Sequence, residues 1–214
     1  MTKVHPNGVA RATEQPRLAV ASASEQHRHN PEVLTVWRKS LLFNCNGFTV
    51  FDATGNLVFR VDNYASEYRG EIVLMDSSGN SVLTIRRKKL SLSDQWLIYN
   101  GDACTKPLFS IKKHLAIRPT KTLIYMTPAN SGANGSMYRI DGSYHHRNCA
   151  MYNQQGQVVA EILKKESKTG VSLGNDVFRL VVQSELDKCL AMAVVIVLDQ
   201  IFGPGPSLLR NWSF

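Results

Sequence analysis

Apolar and polar positions follow two rhythms along this chain. Through its middle, apolar residues recur at every second position in short runs broken by Asp, Asn and Gly, the period of a half-buried strand. Near the end that rhythm stops, and from Cys189 to Leu198 ten consecutive residues are apolar. A helix built from this run has no polar face and must be buried, either in a protein core or in lipid. Lys188 and Asp199 bracket the run, which leaves it short of the roughly 17–25 apolar residues that span a bilayer. Val194, Val195, Ile196 and Val197 are β-branched and would suit a strand, but the Leu, Ala and Met flanks and the length favour a helix over about 185–202. Ser184 with Asp187 three residues on has the form of a capping box, and Gly203-Pro204-Gly205-Pro206 ends the helix.

The alternating part carries an internal repeat. Phe51-Asp52-Ala53-Thr54-Gly55-Asn56 precedes LVFRV, Met75-Asp76-Ser77-Ser78-Gly79-Asn80 precedes SVLTIRR, and Tyr152-Asn153-Gln154-Gln155-Gly156-Gln157 precedes VVAEILKK. A looser copy, Tyr99-Asn100-Gly101-Asp102, precedes PLFSIKK, and the starts at 51, 75 and 99 are spaced by 24 residues. Asp or Asn can cap a turn through its side chain while the glycine supplies positive φ, so each copy predicts a hairpin. The strand after each turn keeps one phase. Leu57, Phe59 and Val61 correspond to Leu83 and Ile85, to Phe109 and Ile111, and to Val158, Ala160 and Ile162, with Arg60, Thr84, Ser110 and Glu161 on the other face. Upstream, LTVWRKSLLF leads into Asn44-Cys45-Asn46-Gly47, whose Asn-Gly pair predicts another hairpin turn. Strands half-buried in one register suit a sheet with a single inside, whether barrel, sandwich or propeller. The all-apolar helix decides among these, because a closed barrel covers it on every side. The predicted fold is mainly β, a closed antiparallel barrel around a buried hydrophobic C-terminal α-helix.

Composition divides the chain. Residues 1–31 hold three prolines and much Ala, Ser, His and Gln without a hydrophobic period, which predicts a disordered arm; residues 32–214 are the barrel domain. Thr127–Ser136, Ser143–Cys149 and Lys165–Asn175 read as connections, and SLLRNWSF as a tail with Trp212 and Phe214 packed back on the barrel. The 25 basic residues against 17 acidic ones give a formal charge of +8, which favours nucleic acid, anionic headgroups or phosphorylated ligands without choosing among them. Cys45, Cys104, Cys149 and Cys189 show no framework spacing and one lies within the buried helix, so free thiols in a reducing compartment are expected. The start carries no apolar signal-peptide core. A monomeric intracellular protein is expected, cytoplasmic, with the inner membrane surface and the nucleus as alternatives left open.

LTVWRKSLLFNCNGFTVFDATGNLVFRVDNY, together with DKCLAMAVVIVLDQI, resembles the plant LURP-one-related proteins, and the likeness runs from Val33 to Phe202. That resemblance implies a Tubby-like barrel of about twelve antiparallel strands around the helix, similar to the phospholipid scramblases and the Tubby membrane-tethered transcription regulators. It also implies a link to plant defence. Tubby domains bind phosphatidylinositol bisphosphate through basic residues, but these do not match residue by residue here, so no site is carried over. The acidic calcium-binding segment and the palmitoylated cysteine cluster of the scramblases have no counterpart in this sequence.

Catalytic motifs are absent from the sequence: it has no Gly-rich phosphate loop, nucleophile elbow or paired acidic motif. A non-enzyme without a cofactor is therefore expected. His145-His146 with Cys149 lacks a second ligand pair at fixed spacing, so no metal is expected either. Trp37, Trp96 and Tyr125 lie in strand patterns and read as core. The densest charge is Arg86-Arg87-Lys88-Lys89 at the end of the second repeat strand. Alternation puts Arg86 and Lys88 outside and Arg87 and Lys89 at or beyond the rim. Lys112-Lys113 and Lys164-Lys165 follow their own repeat strands at comparable places. These eight residues predict an anion-binding rim, with phosphoinositide headgroups as the favoured ligand and membrane tethering as the role. The plain alternative is a set of solvated charges that deter edge-to-edge strand pairing. DNA or regulatory proteins bound by a nuclear regulator, and a protein scaffold with no lipid ligand, are the other readings.

Overall fold

The computed structural model describes residues 30–42, 46–63, 70–89, 94–102, 105–115, 120–129, 138–166 and 174–203. The predicted arm up to residue 29, the tail beyond Gly203 and most of the Thr127–Ser136 loop lie outside the described residues.

Twelve strands form one up-and-down meander: β1 (Glu32–Trp37), β2 (Asn46–Phe51), β3 (Leu57–Asn63), β4 (Glu71–Asp76), β5 (Ser81–Arg87), β6 (Gln95–Asn100), β7 (Phe109–Lys113), β8 (Thr122–Pro128), β9 (Tyr138–Ser143), β10 (Asn148–Tyr152), β11 (Val158–Lys164) and β12 (Val177–Val182). Each pairs antiparallel with its chain neighbours, and β1 also pairs with β12 from Glu32↔Val182 to Trp37↔Val177, so the barrel closes. The helix α1 (Lys188–Phe202) fills the inside, and every residue from Leu190 to Leu198 is buried. Around it stand the inward residues of the repeat strands, among them Phe59, Val61, Ile85, Ile111, Ala160 and Ile162. Mutual burial of helix and strand faces is the main stabilising term, about 1.5–3 kcal/mol for each large apolar side chain.

Three of the repeat turns have one local structure. Asp52 accepts backbone hydrogen bonds from Thr54 and Asn56, Asp76 from Asn80, and Asn153 from Gln155 and Gln157. The glycine of each turn has positive φ, 90° at Gly55 and Gly79 and 76° at Gly156. A register shift accompanies each, at Val50/Phe51, Leu74/Met75 and Met151/Tyr152. The looser copy departs from this pattern. Gly101 donates its N–H to Val82 O across the neighbouring strand, and Thr84 donates its hydroxyl to Gly101 O.

Two sequence expectations need correction. Asn46-Gly47 is no hairpin turn: both residues lie inside β2, where they pair with Asn63 and Asp62. Arg38 N–H still bonds Asp176 O, its register partner beside β12; the chain then turns, with Lys39 N–H bonding Trp37 O and Thr49 Oγ1 donating to Lys39 O. The glycine is needed for close approach, since a Cβ at Gly47 would stand 1.7 Å from Val61 O. The helix cap is also displaced. Leu186 N–H bonds Gln183 O in the turn that leads β12 back into the barrel, so the cap falls to Asp187, whose Oδ1 accepts from Cys189 N and Leu190 N. The face opposite the core also differs from a solvated one. Thr49, Thr84 and Ser110 are buried although they point outward, because connections and neighbouring side chains cover them.

Two predictions follow from this packing. Val195→Asp places an unpaired charge at a fully buried helix position, and the protein should lose its cooperative near-UV circular dichroism transition or become insoluble; a soluble, cooperatively folded variant would contradict the core assignment. Gly47→Ala should cost about 1–3 kcal/mol through overpacking against backbone. Gly55→Ala, at positive φ with open space around it, should cost only about 1–2 kcal/mol of strain. Urea denaturation midpoints measure both, and a Gly47→Ala variant as stable as wild type would contradict the close approach to Val61 O.

Candidate functional site

An antiparallel meander sends alternate strands to opposite ends, and here the ends differ in charge. One end carries the repeat turns with Asp52, Asp76 and Asp102, the start of β1 at Glu32, and Glu185 and Asp187 before the helix. The opposite end, where β1, β5, β7 and β11 finish, carries Arg38, Lys39, Arg86 to Lys89, Lys112, Lys113, Lys121, Lys164 and Lys165 against Asp62, Glu71, Asp94, Glu166, Asp176 and Asp199, so it is basic in balance. The helix runs from the acidic end, where Lys188 Nζ meets Glu32 Oε1 at 2.8 Å, to the basic end, where Lys113 Nζ lies 5.4 Å from the Phe202 ring centroid. Cations therefore surround the helix C-terminus, where the backbone dipole presents partial negative charge.

All eight predicted residues lie at this one end, though not as one cluster. β5 and β7 are next but one in the barrel, whereas β11 stands diametrically across from β5. Their environments differ as well. Arg86 Nε meets Glu71 Oε2 at 2.6 Å and its guanidinium lies 5.3 Å from the Tyr99 ring; Arg87 Nη2 donates to Asp94 Oδ1 at 2.8 Å. Lys113 lies 4.0 Å from Asp94 Oδ2, and Lys165 Nζ donates to Thr35 Oγ1. Lys88, Lys89, Lys112 and Lys164 are exposed. Among the described residues they have no ion-pair partner. Because the barrel closes, these charges guard no sheet edge, which removes the specific purpose that the plain alternative assigned to them.

Sequence reading missed a polar group beneath this rim. Asp199, in the last turn of α1, accepts from Arg38 Nε at 2.8 Å and from Tyr144 Oη at 3.1 Å. Burial opposes the Arg38 charge, but the Asp199 charge and hydrogen bond outweigh it and raise the guanidinium pKa. Burial, then the negative charge of Asp199, holds the Tyr144 hydroxyl well above its ordinary pKa. Arg147, 2% exposed and at φ 50°, stacks on Tyr144 and Phe178 at 4.1 and 4.4 Å and donates from Nε to Asn175 O. The Ser143–Cys149 segment is therefore a tight β9–β10 turn, residues 144–147, that closes the barrel end. One signal was available: an acidic side chain in the last turn of a helix opposes the helix dipole, and so calls for a cation beside it.

His145 and His146 are exposed while Cys149 is buried in the core, so the three do not converge, and no group of three metal-ligating side chains occurs among the described residues. Burial pushes the Cys149 thiol up to about 11 and the Cys189 thiol up to about 12, so neither is a thiolate near neutral pH. A narrow apolar space between β9–β12 and the helix is bounded by Cys149, Ala160, Ala191 and Val195, with room for about one water. Trp96 is core as expected and Tyr125 is half-buried, but Trp37 is 38% exposed at the basic end, because alternation with the inward Leu34 and Val36 puts it on the outer face of β1. No helix among the described residues is long and apolar enough to cross a membrane.

Comparison with known proteins gives a consistent picture. The family model described as LURP-one-related matches residues 32–199. The Arabidopsis thaliana protein LURP-one-related 8 is 44% identical over 94% of this chain and 98% of its own length. LURP-one-related 17 from the same plant is 43% identical over 79% of this chain and 82% of its own length. An X-ray structure of an Arabidopsis thaliana protein shares the fold, with a TM-score of 0.59 at 22% identity, covering 80% of this chain and 91% of that one.

The polar group under the rim generates a stability prediction. Tyr144→Phe should cost about 1.5–3 kcal/mol, the range for a hydrogen bond to a charged acceptor. Asp199→Ala should cost more, since it strands both Arg38 and Tyr144. Combining Asp199→Ala with Arg38→Ala should be less than additive, with a coupling of about 0.5–3 kcal/mol in urea denaturation. Strict additivity would mean that the Arg38–Asp199 pair contributes nothing.

Proposed function

Because this chain belongs to the LURP-one-related family, we propose that it acts as that family's barrel in a non-enzymatic role: a module that binds anionic phospholipid headgroups, phosphoinositides among them, and tethers itself to membrane in plant signalling or defence. The observation that carries the reading is the polarity of the barrel. Lys88, Lys89, Lys112 and Lys164 stand exposed at one end without ion-pair partners among the described residues, while the turn aspartates gather at the other. Such a molecule approaches a negative surface in one orientation. Near an anionic membrane each lysine contributes about 1 kcal/mol, so four give adhesion that falls steeply with salt. Arg86 and Arg87 are committed to Glu71 and Asp94, so they add less net charge; Arg86 ties β5 to β4, and Arg87 holds the β5–β6 connection. Lys113 and Lys165, each partly engaged, are secondary.

The test is vesicle sedimentation at low and physiological salt, with phosphatidylserine- and phosphatidylinositol bisphosphate-containing vesicles and a competing DNA duplex. Lys88→Glu with Lys89→Glu, Lys112→Glu and Lys164→Glu should weaken vesicle binding by about two to three orders of magnitude. The same positions changed to Gln should weaken it less. Unchanged binding in the Glu variant removes these lysines from the site. Preferential binding of long duplex with a steep salt slope would favour DNA as the ligand instead.

A further inference from the structure

Large apolar side chains left exposed among the described residues are few and unevenly placed. Trp37 at 38%, Leu41 at 51%, Leu42 at 38% and Leu115 at 68% lie at the basic end, against Leu108 at the acidic end. Three of the four occupy connections: Leu41 and Leu42 between β1 and β2, and Leu115 between β7 and β8. Those connections stand six strands apart in a ring of twelve, on opposite sides of the helix axis. Cations intervene, with Lys39 Nζ 5.3 Å from the Trp37 ring and exposed Lys112 just before Leu115. A protein partner is met by one contiguous apolar patch ringed with polar residues. Two apolar tips separated by the width of a barrel, with lysines between and beside them, match a wide surface that is anionic on top and apolar beneath.

We infer that the basic end docks end-on onto an anionic bilayer, with Leu41, Leu42 and Leu115 entering the boundary between headgroups and acyl chains. Trp37 sits at headgroup level, where amphipathic rings concentrate, and the lysines remain with the phosphates. This rests on the lipid reading above and adds to it a hydrophobic component that salt does not screen. It also sets the orientation: the acidic end, with Asp52 and Asp76, faces away from the membrane and is left free.

The test uses the full chain and vesicles of roughly one part phosphatidylserine to four parts phosphatidylcholine, at low salt and at about 0.5 M sodium chloride, where the screening length is only a few ångströms. Wild-type protein should bind at low salt and remain partly bound at high salt. The Leu41→Ser, Leu42→Ser and Leu115→Ser triple variant should bind at low salt but release fully at high salt, with at least about a tenfold loss of affinity at physiological salt. Its melting temperature should stay within about 2 °C of wild type, since the three side chains are exposed. Acyl chains brominated near the headgroup should quench tryptophan emission in wild type, and Trp37→Phe should remove that component. Full salt release of wild type, with the triple variant indistinguishable from it, overturns the inference and leaves purely electrostatic lipid binding standing. Failure of wild type to bind at low salt overturns both.

Discussion

A helix with no polar face cannot exist in water, and the architecture of this protein answers that constraint. Between Leu190 and Leu198 every side chain is buried, so apolar atoms must approach from all directions at once. A sandwich would leave the helix exposed at its sides, and an open sheet would cover only half of it. The closed ring supplies an inner wall and pairs every strand with a neighbour on both sides, most sparsely at β3–β4, so no strand is a free edge. The helix in turn fills a barrel that strand side chains alone would leave hollow. Neither part has a stable alternative partner within the chain, which makes folding of the two inseparable.

Placing a helix along the barrel axis has an electrical consequence. Its N-terminus and its C-terminus open at opposite ends, and the charges around each end oppose the local backbone charge: Asp187 caps the start, and Arg38 and Lys113 meet Asp199 and Phe202 near the finish. Two of the turn aspartates, Asp52 and Asp76, stand at the acidic end because each caps its own hairpin. The hydrogen bonds they accept show in their acidity, with Asp52 lowered to about 2, first by the Thr54 hydroxyl and then by the Asn56 N–H. The odd-numbered connections have no such duty and are free to carry lysine. Polarity along the axis is thus partly a by-product of how the hairpins fold, and it leaves one end of the barrel basic in balance.

The candidate site was legible in its charges and illegible in its pairings. Arg86 to Lys89, Lys112, Lys113, Lys164 and Lys165 recur after strands in the same phase, so their gathering at one end follows from the repeat. That Arg86 is bound to Glu71 and Arg87 to Asp94 was not readable, because those acids start strands on either side of β5 and only the register aligns them. Trp37 read as core because it is a large apolar residue in a strand run; it is exposed because alternation with the inward Leu34 and Val36 turns it to the outer face.

The sequence alone determined the barrel, its central helix and the positions of three equivalent turns, because these rest on local chemistry: alternation, Asp and Asn side chains that cap their own backbone, and glycines that tolerate positive φ. Tertiary structure alone decided which residues act at a distance. Asn46-Gly47 has the composition of a turn, yet it lies in a strand where Val61 O leaves no room for a side chain. Tyr144 and Arg147 have the setting of a solvated loop, yet they seal the barrel because Asp199, far along the chain, comes to lie below them. Local pattern specifies where the chain turns and which face is apolar; the partners of a charge depend on closure of the ring, a property of the whole chain and of no single segment.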